Sequence, residues 1–214
     1  MKIANIAIPV YMIGHPMDNN SLKNVLKQFE GRDEFHLNII ALKQYLQGSL
    51  NYWQTIKKCV EKAIDEQEDC FILCEFDHVF TPHYNKNFLI RNIIEAHNQG
   101  CNILCGGIGS FHDAVPLTRN RFWIDNFLTS SFTVIYRKFY QQILTEIGTD
   151  KLTSDQILSK ITSQKMVLYP FIAVRHYSNI TELDPLKCEI MIRFSESETK
   201  LKTYQKVYDR FLCR

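Results

Sequence analysis

Apolar positions recur along the chain with two spacings, and their alternation lays out the elements. Nearly continuous apolar runs fall at Ile3–Ile13, Phe35–Leu42, Cys70–Phe80, Asn102–Cys105, Phe132–Tyr136 and Met166–Val174. Such runs predict strands buried on both faces. Pro170 interrupts the last one and places it at an edge or bulge. Between the strands, apolar residues return every three or four positions. Leu22, Val25, Leu26 and Phe29 mark a helix over Ser21–Phe29, and Trp53, Ile56, Val60, Ala63 and Ile64 mark one over Leu50–Asp65. Further helices are predicted over Phe88–Asn98, ended by Gly100, and over Lys138–Ile147. Strand alternating with helix predicts a largely parallel sheet covered on both sides. From about Ser178 the pattern loosens, and Glu196–Leu212 reads as an amphipathic terminal helix with Leu201, Tyr204, Tyr208 and Phe211 as its stripe. The chain therefore divides into a main α/β domain, residues 1–177, and a C-terminal extension, residues 178–214.

The run from Cys70 to Phe80 is the one whose ending carries chemistry. Its apolar core, Phe71, Ile72 and Leu73, gives way to Glu75, Asp77 and His78. Alternation along a strand puts Glu75 and Asp77 on one face at the C-terminal edge of the sheet. Ligands bind at that edge in open α/β sheets. Two carboxylates there are hard donors suited to Mg²⁺ or Mn²⁺, and such a cation suits a phosphate-bearing substrate. A strand that merely finishes in acids at the surface fits the same residues.

Other candidates are more local. Gly106-Gly107-Ile108-Gly109 follows a strand but has neither the Walker lysine nor the dinucleotide spacing. Gly106 and Gly107 allow close approach of a sugar or phosphate, and equally form a plain turn. Thr153 with Gln156 makes a capping box. That places Asp155 in a first helical turn, as a dipole-stabilised acid or as a general base. Arg119 and Arg121 flank a loop and offer charge to a diphosphate or to solvent. Tyr11 offers a ring to a nucleotide base or to the core. Asp77-His78 and His112-Asp113 superficially resemble the ligand pairs of helical phosphohydrolases, but neither pair sits on a convincing helix.

Charge narrows the partners. A net charge of +2 over 214 residues, with no compact basic block interleaved with aromatics, argues against nucleic acid. The last helix carries Lys200, Lys202, Lys206, Arg210 and Arg214, which suit either an anionic membrane surface or plain solvation. No stretch reaches transmembrane length. Seven cysteines is an odd count, and Cys70 and Cys74 on one strand stand about 13 Å apart, too far to bridge. Free thiols in a reducing, cytoplasmic setting are expected.

Taken together, GSLNYWQTIKKCVEKAIDEQEDCFILCEFDHVF, ILCGGIG, SFTVIYRKFY and TSDQILSKITSQKMVLYPFIAV resemble, in order and spacing, bacterial GT-A fold glycosyltransferases of family 25, the lipopolysaccharide-biosynthesis type. The resemblance runs from about Gly48 to Arg175. It implies a GT-A-like (Rossmann-like), mostly parallel sheet flanked by helices, and transfer from a nucleotide-sugar donor to a glycan or lipid-linked acceptor with inversion. It further implies a Mn²⁺ or Mg²⁺ ion on Asp77, with Glu75 and His176 assisting, and Asp155 as base; the expected location is the cytoplasm, with the basic face of the last helix the one feature that suits the inner face of the membrane. Phe76 departs from the consecutive acids usual in the family. An inactive GT-A-like protein that binds a sugar or partner, and a metal phosphohydrolase, are the competing readings.

Overall fold

The computed structural model describes residues 7–14, 19–42, 49–176 and 185–212; the start of the first predicted strand, residues 3–6, lies outside them. The chain opens with β1 (Ile8–Gly14), α1 (Asn19–Phe29), β2 (Phe35–Ala41) and α2 (Ser49–Asp65), close to the boundaries the apolar spacing predicts. The long acid-ended run is two strands rather than one. β3 (Cys70–Cys74) stops before Glu75, a turn closed by the His78 N–H on the Glu75 carbonyl follows, and β4 (His78–Phe80) leaves it. After α3 (Lys86–Asn98) and β5 (Ile103–Cys105) come four short strands that periodicity does not reveal. These are β6 (Ile108–Ser110), β7 (Ala114–Thr118), β8 (Arg121–Ile124) and β9 (Leu128–Ser130). The chain then forms β10 (Phe132–Tyr136), α4 (Arg137–Thr145), α5 (Ser154–Lys160), β11 (Lys165–Leu168), β12 (Ala173–Arg175) and α6 (Pro185–Leu212).

Eight strands build the main sheet in the order β2-β1-β3-β10-β5-β11-β8-β7. β10 and β8 run against the other six, so the sheet is mostly parallel in direction. Strand alternation feeds two cores, one on each face. Val10, Met12, Ile72, Leu104, Val134 and Met166 pack toward α1 and α3. Tyr11, Ile13, Phe71, Ile103, Ile135 and Val167 pack toward α2, α4, α5 and α6. The result is three layers, helix on sheet on helix, as the alternation predicts.

α6 is longer than its predicted half and does not stand apart from the main unit. Phe194 and Leu201 are buried in the same core as β3 and α2. Ser197 Oγ donates to the Gly109 carbonyl at 2.9 Å, and the Glu198 carboxylate accepts the Phe171 N–H at 2.9 Å. Its buried face runs Phe194, Ser197, Leu201, Gln205; the predicted stripe is rotated from it, and Phe211 at its end is 70% exposed. No helix among the described residues is long and apolar enough to cross a membrane.

Two small pairings matter more than their size. β12 lies antiparallel to β4 with Arg175 opposite His78, and β9 lies antiparallel to β6. Together they fold the chain over the C-terminal edge of the main sheet. His78 is sealed at this junction among the rings of Phe29, Phe80 and Phe132. Burial pushes its imidazole down to about 3, and neither ring nitrogen makes a hydrogen bond of ordinary geometry to offset that. The folded state therefore holds the neutral ring, and its contribution is present above the unfolded value near 6.5 and lost as pH falls. Relative to His78→Phe, wild-type unfolding free energy is expected to drop by about 2 kcal/mol between pH 6.5 and 5, a slope difference of up to about 1.4 kcal/mol per pH unit. Urea titrations of both proteins across that window measure the difference; equal slopes refute this assignment.

Candidate active site

The C-terminal edge of β3 opens on a cleft of about 620 Å³. α2 supplies Ser49 and Tyr52, the 75–77 turn supplies Glu75, and α5 supplies Ser154, Asp155 and Gln156. Arg175 at the end of β12 and Ile190 and Arg193 of α6 complete the wall. The cleft thus gathers side chains from five elements at the sheet edge where α/β folds place their ligands.

Arg175 is the central group, and the apolar pattern alone gives no sign of it. Its side chain is 11% exposed. Nε and Nη2 both donate to the Ser130 carbonyl, at 3.0 and 2.8 Å. Nη2 also pairs with Glu75, and Nη1 lies 3.6 Å from Asp77 Oδ2. Burial opposes the charge on the guanidinium, and Glu75, Asp77 and Asp155 outweigh that cost and hold it firmly protonated. Glu75 accepts from the Tyr52 hydroxyl at 3.3 Å on the same oxygen that meets Arg175. Burial raises the Glu75 carboxyl above its ordinary range, Arg175 opposes the shift, and Asp77 and Asp155 add to it. Burial likewise raises the Tyr52 phenol, with Glu75 contributing, so the phenol stays protonated as a donor.

Asp155 sits where the capping box predicts. Thr153 Oγ1 accepts the Gln156 N–H, and the Gln156 side chain accepts the Thr153 N–H at 2.8 Å. Both Asp155 oxygens are engaged by Ser130, one by its N–H and one by its hydroxyl, each at 2.8 Å. Each carboxylate oxygen keeps a second acceptor position. Ser130 therefore touches both charges of the site, with its carbonyl on Arg175 and its N–H and hydroxyl on Asp155. Glu75, Asp155 and Tyr52 also line a small chamber of about 20 Å³, where the buried Ser131 and Ser154 hydroxyls make no bond to the protein. That volume is room for one water molecule.

The remaining predicted residues fall elsewhere. Tyr11 is in the middle of β1, fully buried and edge-on to Phe71, with its hydroxyl 3.5 Å from Glu66; it belongs to the core and does not reach the cleft. Gly106 and Gly107 are buried, and the backbone that approaches them is the protein's own. Gly106 N–H donates to Phe132, the Gly106 carbonyl accepts from Ile172, and the Gly107 carbonyl accepts from Ser131. A Cβ on Gly107 would lie 1.9 Å from the Ala173 carbonyl oxygen. The glycines thus seat β12, which carries Arg175, rather than a phosphate. Arg119 is exposed on the β7–β8 turn, on the edge strand of the main sheet, and does not line the cleft. Arg121 is buried and bonds Asn92, Glu95 and Gln99 of α3 and its cap. Phe76 is partly buried against the α1–α3 core.

The metal expected on Asp77, Glu75 and His176 does not fit this donor set. His176 is exposed and gives its backbone N–H to the Asp77 carbonyl at 2.8 Å. The three residues do not bring ligand atoms within 4.8 Å of one another; among the described residues only His112, Asp113 and Asp125 do so. In that exposed group one Asp125 oxygen is already taken by the backbone N–H groups of His112, Asp113 and Asn126. Asp77 keeps one buried oxygen without a partner, while its other oxygen and Glu75 face the guanidinium. A hard dication can be held by as few as two carboxylates, with waters and phosphates filling its shell, but the position between these two is held by a positive side chain.

No family model matches the sequence, and no curated protein matches it either. Among solved structures, the chain is similar to a protein from STIV, with a TM-score of 0.49 at 10% identity over 84% of this chain and 99% of that one. It is similar to a glycosyltransferase involved in glycosylation of the major capsid of PBCV-1, with 0.46 at 11% over 75% and 81%. It is also similar to a UDP-glucose pyrophosphorylase complexed with UDP-glucose, with 0.46 at 9% over 92% and 81%. Identity this low says nothing about the chemistry of the cleft, and no family model places the chain in family 25.

Proposed function

We propose that the cleft binds a nucleotide sugar and transfers its glycosyl group to a hydroxyl of a glycan or lipid-linked acceptor. One observation carries this reading. A carboxylate in no ion pair among the described residues, Asp155, and a guanidinium, Arg175, stand on one Ser130 residue and open on the same cleft at the sheet edge. The guanidinium meets the charge that builds on the departing diphosphate, where a planar fork suits phosphate oxygens. Asp155 takes the proton of the acceptor hydroxyl as the new bond forms at the anomeric carbon. The bond to the diphosphate breaks, and its electron pair leaves with the nucleotide. Attack from the face opposite the leaving group inverts the configuration. Ser130 keeps the carboxylate oriented, and no step runs through a divalent cation.

Thermal shift with a panel of nucleotide sugars tests the reading, because a true donor stabilises the fold by mass action. At least one donor is expected to raise Tm, and Asp155→Asn is expected to keep that shift while turnover falls at least about 100-fold. A flat panel refutes the proposal; unchanged turnover moves the base elsewhere. The Arg175 pairing that fills the acidic turn also favours a second reading, a binding protein without turnover. A donor that binds but is never transferred to any glycan acceptor selects it.

A further inference from the structure

The acidic turn already meets a cation that the chain supplies. Arg175 is set there by register, opposite His78 in the β4–β12 pairing, and by two hydrogen bonds to a single carbonyl. A dication taking Glu75 and Asp77 together would have to expel the guanidinium. Expulsion would leave Ser130 without either donor and move an 11% exposed charged group from the wall it helps to form. His176 brings no ligand atom to the two acids, and only its backbone meets Asp77. The guanidinium, in contrast, borders the cleft, and Arg193, paired along α6 with Glu189, lines the same cleft.

We infer that Arg175 is the positive centre of this cleft, that the 75–77 turn holds no divalent cation, and that a diphosphate is received by arginine rather than by metal. The ligand half of this inference rests on the nucleotide-sugar reading; the metal half does not. Mn²⁺ alone, titrated into the full chain and followed by the electron paramagnetic resonance of free Mn²⁺, tests the metal half. Wild type, Glu75→Gln and Asp77→Asn are expected to bind Mn²⁺ equally weakly, within twofold. Binding that survives both substitutions belongs to another site, such as His112, Asp113 and Asp125, and leaves the inference standing. A loss of tenfold or more in either variant overturns it. Calorimetry with uridine and guanosine diphosphates tests the ligand half, with affinities expected to agree within twofold between excess chelator and added Mn²⁺. A tenfold tightening by Mn²⁺ that vanishes in Asp77→Asn overturns it. If neither nucleotide binds under any condition, the nucleotide-sugar reading fails while the Mn²⁺ result stands by itself.

Discussion

Arg175→Met is expected to destabilise the protein by about 3 kcal/mol at pH 7 and to abolish binding of any phosphate-bearing ligand in the cleft. The cost follows from what the guanidinium leaves behind. Glu75 and Asp77 stand in one tight turn, and without Arg175 their charges repel in a partly desolvated corner. The Ser130 carbonyl loses both of its side-chain donors. The lower end of the range for a broken buried pair applies because a third of the Glu75 side chain remains exposed. Arg175→Lys should recover only part of the loss, because an ammonium cannot serve Ser130 and both carboxylates with one planar fork. Removing Glu75 as well should cost less than the sum of the single changes, since the second substitution relieves the charge the first one stranded. Urea denaturation of Arg175→Met, Arg175→Lys, Glu75→Gln and the Arg175→Met/Glu75→Gln double variant measures all of these effects. A loss below about 1 kcal/mol, or strict additivity, would show that the pairing is ornamental.

The residues of this site were legible in the sequence to very different degrees. Glu75 stood out because an apolar strand ended in acid, and Asp155 because a capping box fixes a helix start from four residues alone. Both cues are local, and both residues line the cleft. Arg175 has no local cue. Its partner Glu75 lies 100 positions away, and they meet only because β12 pairs with β4. The strand rule also misplaced the acids, since β3 ends at Cys74 and a turn, not a pleat, turns Glu75 and Asp77 toward a common partner. Tyr11 and the glycine pair show the converse error. An aromatic ring on a strand and a glycine run after one are legible as residue types, but whether they face a ligand or the protein's own backbone depends on packing from distant segments.

The same division holds for the fold. The helices of the outer layers follow from periodic segments and the central strands from nearly continuous apolar runs, and neither needs anything beyond its own pattern. The stretch from Ile108 to Ser130 holds four strands of three to five residues, one of them with Pro116 in the edge strand β7. The equally short β3, β5 and β10 stand out as nearly continuous apolar runs, whereas these four mix polar residues into too few positions to show an alternation. The first half of α6 is not legible in the sequence for a different reason: apolar Leu186 and Ile192 are exposed and blur its buried face.

Gly107→Ala is the substitution expected to do the most damage for the least change in composition. One methyl group added there would sit 1.9 Å from the Ala173 carbonyl oxygen and 3.2 Å from its carbon. The obstacle is backbone, not the end of a flexible side chain, so relief requires β12 to move as a unit. Overpacking a core by one methyl costs about 1–3 kcal/mol when side chains can yield; with backbone in the way, a loss of more than about 3 kcal/mol is expected. Gly106→Ala is the internal comparison. Its added methyl would meet Ile172 and Phe132 side-chain atoms at 3.0 Å, which can give by a few tenths of an ångström, so about 1–2 kcal/mol is expected. The effect on function should exceed the effect on stability, because displaced β12 carries Arg175 away from Glu75 and from Ser130. At a temperature where the variant is still folded, ligand binding in the cleft should therefore already be lost. Equal stability of Gly106→Ala and Gly107→Ala in urea, or intact binding in the folded Gly107 variant, would separate the glycine loop from the site and undo the account of how the guanidinium is placed.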